Sequence, residues 1–303
     1  MIPLDRIRAA ADRARPHVVR TPLVQVVGAL LKLECLQPTG SFKVRGFFAA
    51  ALALPPEKLA KGLITVSAGN AAQACAYVAK TLGVPCRVVM YDTAPPPKVE
   101  GVKRWGATPI PMPRDEMLRW MASEGWTNEP ECFIHPFADV DVMAGHGGLG
   151  LELIEDAPDV ARVLVPVGGG GLVSGVASAL KGLRWDIEVI GVQSDGYPLW
   201  TRSLEAGRQV PITPDTIADG TTAPFDARMF ERLRTCVDRW ITVPEARLRA
   251  SIGPLAVAAK VVAEGAGALT YAALEQLEPG PMTVAVTSGG NIDPILLASL
   301  LSR

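Results

Sequence analysis

The sequence has no apolar run long enough to cross a membrane and no block of basic residues. A transmembrane helix needs about 20 consecutive apolar residues, and no such run occurs. The N-terminus also lacks the apolar segment of a signal peptide. The formal net charge is -1, and no basic stretch interleaves with aromatic residues. We therefore expect a cytoplasmic protein that binds neither membrane nor nucleic acid.

Cysteine and histidine are too few and too scattered to predict a disulfide framework or a metal cluster. The five cysteines form no Cys-x-x-Cys pair, which fits reduced thiols in a cytoplasm. His17, His135 and His146 show no spacing typical of a zinc site. We therefore expect no metal.

Short β-branched runs alternate with helical patterns along most of the chain. Residues 63–66, 86–90, 163–167 and 282–286 are predicted strands, and each is followed by a predicted helix. Continuous apolar strands in this alternation predict parallel sheets with helices on both faces, which is the α/β class. The length of 303 residues is sufficient for two domains.

Lys43 stands at the start of an apolar, helix-forming segment, directly after Ser41 and Phe42. A lysine at the start of a buried helix is either paired with an anion or neutral and reactive. Burial lowers the pKa of a lysine, and a neutral amine can form a Schiff base with a carbonyl. A lysine whose stem is buried while its ammonium reaches water is the alternative. This segment alone leaves both interpretations open.

Four consecutive glycines, residues 168–171, follow one predicted strand and open a helix. The backbone N–H groups of such a run and of the helix N-terminus favour phosphate. The run is not a Walker loop, because no Gly-Lys-Ser/Thr follows. Ser174 also replaces the last glycine of a dinucleotide-binding pattern. A tight turn would need only one or two glycines, so phosphate binding is favoured.

Two further loops follow predicted strands, at the positions where α/β proteins bind ligands. Residues 67–70 read Ser-Ala-Gly-Asn, and residues 287–291 read Thr-Ser-Gly-Gly-Asn. Each loop could simply cap a helix or could face a ligand. Together with the lysine and the glycine run, they describe a site for a phosphorylated aldehyde such as pyridoxal phosphate (PLP).

With these motifs in this order, the chain resembles the serine/threonine dehydratase family of PLP-dependent enzymes of fold type II. The resemblance covers nearly the whole chain. It implies two open, twisted, mostly parallel sheets covered by helices, as in the tryptophan synthase β fold. It also implies a large PLP-binding domain formed by residues 1–61 and 138–303. A small domain, residues 62–137, would carry the loop that binds the substrate carboxylate.

The resemblance implies a role for each residue of these motifs. Lys43 would bind PLP as a Schiff base and move the Cα proton, Phe42 would pack near the ring, and Asn70 would hydrogen-bond to the phenolic oxygen. Ser288 would face the pyridine nitrogen, and Gly220 would line the other face of the cofactor. The phosphate would be held by Gly168, Gly169, Gly170, Gly171 and Leu172. The substrate carboxylate would be bound by Ser67, Ala68, Gly69 and Asn70.

Several positions depart from the family pattern. Ala71 and His146 replace the usual histidine and glutamine, and both could reshape the substrate pocket. His146 could instead be a polar residue at a helix start. Racemases of the family carry a serine at position 68 as a second acid/base, and Ala68 has no proton to donate. Gln193 and Leu199 stand where metal-binding members have acids, so a metal is again not expected.

The expected activity is PLP-dependent α,β-elimination of a β-hydroxy amino acid, L-threonine, L-serine or a relative, to a 2-oxo acid and ammonia. The hydroxyl of Ser288 supplies no negative charge to a protonated pyridine, so the ring is a weaker electron sink, which suits elimination better than transamination. A racemase and a PLP-binding protein with little catalysis remain alternatives. The resemblance also implies a homodimer that acts on a small amino-acid substrate.

Overall fold

The computed structural model describes residues 1–302 and contains two sheets. The spatial order of the larger sheet is β1 (Leu23–Val26), β2 (Ala29–Leu33), β10 (Thr283–Thr287), β7 (Arg162–Pro166), β8 (Glu188–Ser194) and β9 (Arg239–Val243). The order of the smaller sheet is β5 (Thr108–Met112), β4 (Cys86–Tyr91), β3 (Leu63–Val66) and β6 (Cys132–Phe133). Every strand pair is parallel except the β1–β2 hairpin. The predicted fold of two mostly parallel sheets is confirmed.

Thirteen α-helices connect or flank these strands within residues 1–302. In the first half of the chain they are α1 (Leu4–Ala14), α2 (Lys43–Ala51), α3 (Pro56–Leu59), α4 (Asn70–Leu82), α5 (Pro96–Lys103), α6 (Arg114–Ala122) and α7 (Val140–Asp156). In the second half they are α8 (Gly171–Leu183), α9 (Leu199–Ala206), α10 (Ala227–Cys236), α11 (Glu245–Ala259), α12 (Gly265–Ala273) and α13 (Pro294–Leu301). None of them is both long and apolar enough to span a bilayer.

The central strands are buried along their whole length because helices cover both faces of each sheet. All residues of β3, β7 and β10 are buried. These strands coincide within a residue or two with the predicted strands at 63–66, 163–167 and 282–286. In contrast, β1, β2 and β9 lie outside the predicted strands.

Helix α7 contains four glycines that allow unusually close contacts with its neighbours. A Cβ atom at Gly145 would lie 2.5 Å from the Ala49 Cβ of α2, and one at Gly150 would lie 2.8 Å from the Ala179 Cβ of α8. Glycine lowers helix propensity, but here tertiary packing determines the structure. His146 lies in the middle of this helix, so its placement at a helix start is wrong.

The carboxyl ends of β3, β7 and β10 are followed by residues 67–69, 167–170 and 288–293. These are the three loops that the sequence singled out. The strands of the smaller sheet all lie within residues 62–137. The division of the chain into a large and a small domain stays a prediction.

Candidate active site

The start of α2 is joined to the loop that follows β10. Ser41 forms an isolated bridge with Gly289, and the Phe42 N–H donates to the Ser288 carbonyl at 3.0 Å. Lys43 is the first residue of α2. Two motifs that are more than 240 residues apart in sequence are thus brought together.

The amine of Lys43 has one hydrogen-bond acceptor, and that acceptor carries no charge. Lys43 Nζ donates to the Pro136 carbonyl at 2.7 Å and lies 5.1 Å from the centroid of the Phe42 ring. Among residues 1–302, no carboxylate forms a salt bridge with it. Burial lowers the pKa of Lys43 to about 8, against a weaker opposing attraction from Glu264. A substantial fraction of the amine is therefore neutral just above neutral pH.

The glycine loop is packed so closely that side chains do not fit on it. A Cβ at Gly169 would clash with the Phe137 ring, one at Gly171 would lie 2.6 Å from the Phe137 carbonyl oxygen, and one at Gly168 would lie 2.9 Å from the Thr221 Cα. Gly170 has φ +87°, in the left-handed region that favours glycine. Within residues 1–302, no side chain caps the N-terminus of α8. Its first N–H groups are therefore available to an anion.

Two buried side chains donate hydrogen bonds to backbone carbonyls at the start of this loop. Trp200 Nε1 donates to the Gly168 carbonyl, and Gln193 Nε2 donates to the Val167 carbonyl at 3.2 Å. Gln193 Oε1 in turn accepts from the backbone N–H groups of Trp200 at 3.0 Å and Thr201 at 3.1 Å. Gln193 therefore braces the glycine loop, at the position where metal-binding members of the resembled family have an acid.

Asn70, at the start of α4, is bonded to two side chains that come from the other end of the chain. Its Nδ2 donates to Glu264 Oε1 at 2.6 Å, and its Oδ1 accepts from Asn291 Nδ2 at 2.8 Å. Glu264 is only 5% exposed. Burial, and then the negative charge of Asp219, raise the pKa of Glu264 to about 7. Sequence reasoning missed Glu264, which belongs to no recognised motif, and it gave no role to Asn291.

The hydroxyls near the end of β10 are enclosed. Ser288 is buried, and the neighbouring hydroxyls of Thr287 and Ser41 are buried without a hydrogen-bond partner in the described part of the chain. Gly220 lies in a short 3-10 turn, and its carbonyl oxygen would lie 3.0 Å from a Cβ atom at Gly168. Leu172 is buried in the first turn of α8. Gly220 and Leu172 thus lie next to the glycine loop, whereas Ser288 lies at the start of the loop that follows β10. Their predicted contacts with a cofactor stay predictions.

The loop at residues 67–69 is stiffened by its own side chain. Ser67 Oγ accepts from the Gly69 N–H at 3.0 Å. Ala68 is partly buried, and Ala71 is buried in the first turn of α4. The predicted substrate contacts of these residues stay predictions.

His146 is fully buried next to Phe42. The two rings meet edge to face with centroids 4.8 Å apart, and neither imidazole nitrogen has a partner among residues 1–302. Burial, together with the positive charges of Lys43 and Arg45, holds the pKa of His146 well below its usual value. The imidazole is therefore neutral, and its predicted substrate contact stays a prediction.

Comparison with known proteins identifies the family. The family model for pyridoxal-phosphate dependent enzymes matches residues 14–289. The chain is 38% identical to an L-threonine ammonia-lyase of Geobacter sulfurreducens, over all of this chain and 79% of that protein. The crystal structure of a threonine deaminase from T.th. superimposes with a TM-score of 0.87 at 37% identity, over 96% of this chain and 98% of that one. Maize serine racemase superimposes with a TM-score of 0.91 at 30% identity, over 99% and 97% of the two chains. The chain belongs to the family of pyridoxal-phosphate dependent enzymes, and PLP is its cofactor.

Proposed function

We propose that this protein is an ammonia-lyase that converts a β-hydroxy amino acid, threonine, serine or a close relative, into a 2-oxo acid and ammonia. The observation that carries the proposal is the amine of Lys43, which has no anionic partner among residues 1–302 and a pKa lowered to about 8. It stands at the motif position of the reactive lysine. The identity to an L-threonine ammonia-lyase over the whole chain supports the choice of reaction.

The residues of the site fit PLP. The loop of glycines at 168–171 has room only for backbone, and the uncapped start of α8 suits a phosphate. Lys43 would bind the carbonyl, and Ser288 would face the pyridine nitrogen. Asn70 would donate to the phenolic oxygen. Phe42 and Gly220 would lie on either side of the ring.

PLP, once bound, supplies an electron sink for the pair released from the Cα–H bond. The chain contributes the proton transfer and the orientation of the substrate. With substrate in the site, the Lys43 amine, whose pKa burial lowers to about 8 in the apoprotein, would act as the general base. It would remove the Cα proton, and the β-hydroxyl would take up a proton and leave as water. The Ser67 and Gly69 N–H groups donate to the Val89 carbonyl and to Ser67 Oγ, each at 3.0 Å. The N–H groups of Ala68 and Asn70, at the start of α4, would therefore hold the substrate carboxylate.

The main alternative within the family is racemisation, which needs an acid on the face opposite Lys43. Ala68 carries no hydroxyl, and the Ser67 hydroxyl is bonded within its own loop. Proton transfer from one face only supports elimination over racemisation. We further propose that the protein is cytoplasmic and a homodimer. Light scattering of the purified protein would test the dimer, and fractionation of cells would test the localisation.

A substrate panel tests the proposed reaction. The purified protein, loaded with PLP, should release 2-oxo acid and ammonia from threonine, serine or a related β-hydroxy amino acid. Lys43→Ala should abolish this release, whereas Lys61→Ala, at an exposed lysine, should not. If the loaded wild-type protein releases nothing from threonine, serine, 3-hydroxyaspartate and phenylserine, the lyase proposal is wrong and the PLP-binding alternative gains support.

A further inference from the structure

The amide of Asn70 is held in one orientation by a chain of hydrogen bonds. The chain begins at the Thr39 carbonyl, which can only accept a hydrogen bond. Asn291 Nδ2 donates to that carbonyl at 2.8 Å, so the nitrogen of Asn291 is the atom that faces it. The orientation of the Asn291 amide is therefore fixed by the backbone.

This orientation determines which atom of Asn70 faces which neighbour. The same Asn291 Nδ2 lies 2.8 Å from Asn70, so the Asn70 atom there must be the acceptor Oδ1. Asn70 Nδ2 then faces Glu264 Oε1, at 2.6 Å. An ionised carboxylate can only accept, so the arrangement is consistent at both ends. One N–H of Asn70 is left without a protein partner among the described residues.

Glu264 itself has little freedom to move. Its backbone N–H donates to the Gly289 carbonyl at 3.1 Å, and a Cβ atom at Gly289 would clash with its carboxylate. Gly289 and Asn291 belong to the loop that follows β10, which also contains Ser288. The carboxylate is thus wedged between that loop and Asn70.

We propose that Glu264 is a positioning residue for the cofactor: with Asn291, it fixes the Asn70 amide so that the remaining N–H donates to the phenolic oxygen of PLP. This inference rests on the proposed function, which places Asn70 at that oxygen. A structural role alone explains Glu264 poorly. A buried carboxylate without a salt bridge in the described part of the chain is costly. An apolar residue would fill the same space at lower cost.

The test is the dissociation constant of PLP from the apoprotein, measured by the absorption of the bound cofactor. Glu264→Ala should weaken PLP binding about tenfold, since Asn70 loses the acceptor that orients it. Glu264→Gln keeps an acceptor oxygen at this position and should bind PLP within about threefold of the wild type. Glu278→Gln removes the same charge from an exposed residue near the opposite end of β10, and should change nothing.

A double-mutant cycle separates positioning from a general effect on folding. Asn70→Ala should weaken PLP binding about as much as Glu264→Ala, because the same hydrogen bond is lost. If Glu264 acts through Asn70, the double variant should bind PLP no more weakly than Asn70→Ala alone. The proposal would be overturned if the double variant bound PLP more weakly than Asn70→Ala by the same factor that Glu264→Ala loses alone. It would also be overturned if Glu264→Ala bound PLP as tightly as the wild type.

A second variant keeps the test decisive if Glu264→Ala does not fold. Asn291→Asp removes the donor to Asn70 and should also weaken PLP binding, with no added loss when combined with Asn70→Ala. Unchanged PLP affinity in Asn291→Asp would contradict the proposal. The outcome is separate from that of the substrate panel, because PLP affinity is measured without substrate. A protein that binds PLP normally but releases no ammonia would sink the lyase proposal and leave the role of Glu264 standing.

Discussion

Lys32 is buried and Lys43 is partly buried, and the two amines differ in whether a carboxylate pairs with them. Lys32, on β2, is 0% exposed, and its Nζ lies 2.6 Å from Glu152 Oε2 and 2.7 Å from the Thr21 carbonyl oxygen. Lys43, at the start of the next α-helix, donates to a carbonyl oxygen and has no carboxylate within salt-bridge distance among residues 1–302. Pairing makes the first lysine structural. The lack of pairing leaves the second amine available for chemistry.

Arg45 extends this contrast along α2 itself. Two residues after Lys43, its guanidinium bonds to both oxygens of Glu34, at 2.7 and 2.9 Å, and to both oxygens of Glu152, at 2.7 and 2.9 Å. Desolvation lowers the pKa of Arg45, but the two carboxylates outweigh it and raise that pKa. The paired charges of Arg45 anchor the helix. The unpaired amine of Lys43, at the first position of the helix, donates to the carbonyl of Pro136, which directly precedes Phe137 at the glycine loop.

The largest expected effect comes from removing the unpaired amine. Lys43→Ala should lower the rate of ammonia release by about a thousandfold or more, since general-base catalysis alone contributes roughly 10²–10⁴. Lys32→Met should keep the rate per folded molecule within about tenfold of the wild type, because the ion pair of Lys32 with Glu152 contributes to the structure and not to the reaction. Single-turnover rates with threonine would measure both. A Lys43→Ala protein with a tenth of wild-type activity would refute the distinction.

The next largest effect is a loss of stability on changing Glu34, the carboxylate that pairs with Arg45. Glu34 is 0% exposed and accepts from Arg45, from Gln37 and from Thr21. Glu34→Gln should lower the free energy of unfolding by about 3–5 kcal/mol, because it leaves a buried charge partly unpaired. Glu155→Gln, at an exposed ion pair with Arg20, should lower it by less than about 1 kcal/mol. Urea unfolding measures both, and equal losses would contradict the comparison.

The unpaired amine also predicts a pH dependence of stability. The pKa of Lys43 is lowered from 10.5 to about 8 in the folded apoprotein. Between these values the unfolded chain binds one more proton, so stability from this group rises with pH. Below pH 8 the folded protein carries the full cost of burying the charge.

Replacing this amine with an uncharged side chain tests that dependence. The stability of the Lys43→Met apoprotein relative to the wild type should therefore be about 3 kcal/mol greater at pH 7 than at pH 10.5. Denaturant unfolding at the two pH values provides the measurement. Lys61→Met, at an exposed lysine, serves as the control. A Lys43→Met difference that does not depend on pH would mean that the amine is paired in solution.

The smallest expected effect comes from adding a second proton donor. If the loop at residue 68 faces the substrate opposite Lys43, as proposed, Ala68→Ser would place a hydroxyl there, and racemisation should rise a few-fold relative to elimination. Chiral chromatography of the remaining serine, alongside the 2-oxo acid formed, gives the ratio. Ala60→Ser, at an exposed alanine outside the site, should leave the ratio unchanged. The same ratio in Ala68→Ser and wild type would count against the position assigned to this loop.

The sequence was informative where a local pattern has one physical cause. The turn at residues 168–171, between a strand and a helix, could be predicted without tertiary information. The structure adds that three of these glycines are packed too closely for a side chain, and the phosphate role stays a prediction. The sequence singled out Lys43 but left open whether its amine is paired or free, because that depends on residues such as Pro136 and Glu264. Those neighbours are supplied by the fold.

What the sequence could not provide were contacts made across long separations. Glu264 reaches Asn70 over 194 positions, and neither periodicity nor spacing connects them. The strands β1 and β9 were missed because they are short and partly exposed. The strand β2 is largely buried, but Lys32 interrupts its apolar run. The helix α7 was obscured by its glycines, whose low helix propensity is overridden by packing.

The close contacts of α7 set the depth at which the reactive amine sits. Gly145 lies against Ala49 and the Arg45 carbonyl, and a Cβ at Gly46 would meet the His146 ring and the Val142 carbonyl. A lysine side chain has a fixed length, so a shift of α2 by one methyl group would carry the Lys43 nitrogen away from its target. Attempts to redesign the substrate range of this enzyme should therefore vary the loops and leave the contact between α2 and α7, at Gly46 and Gly145, unchanged.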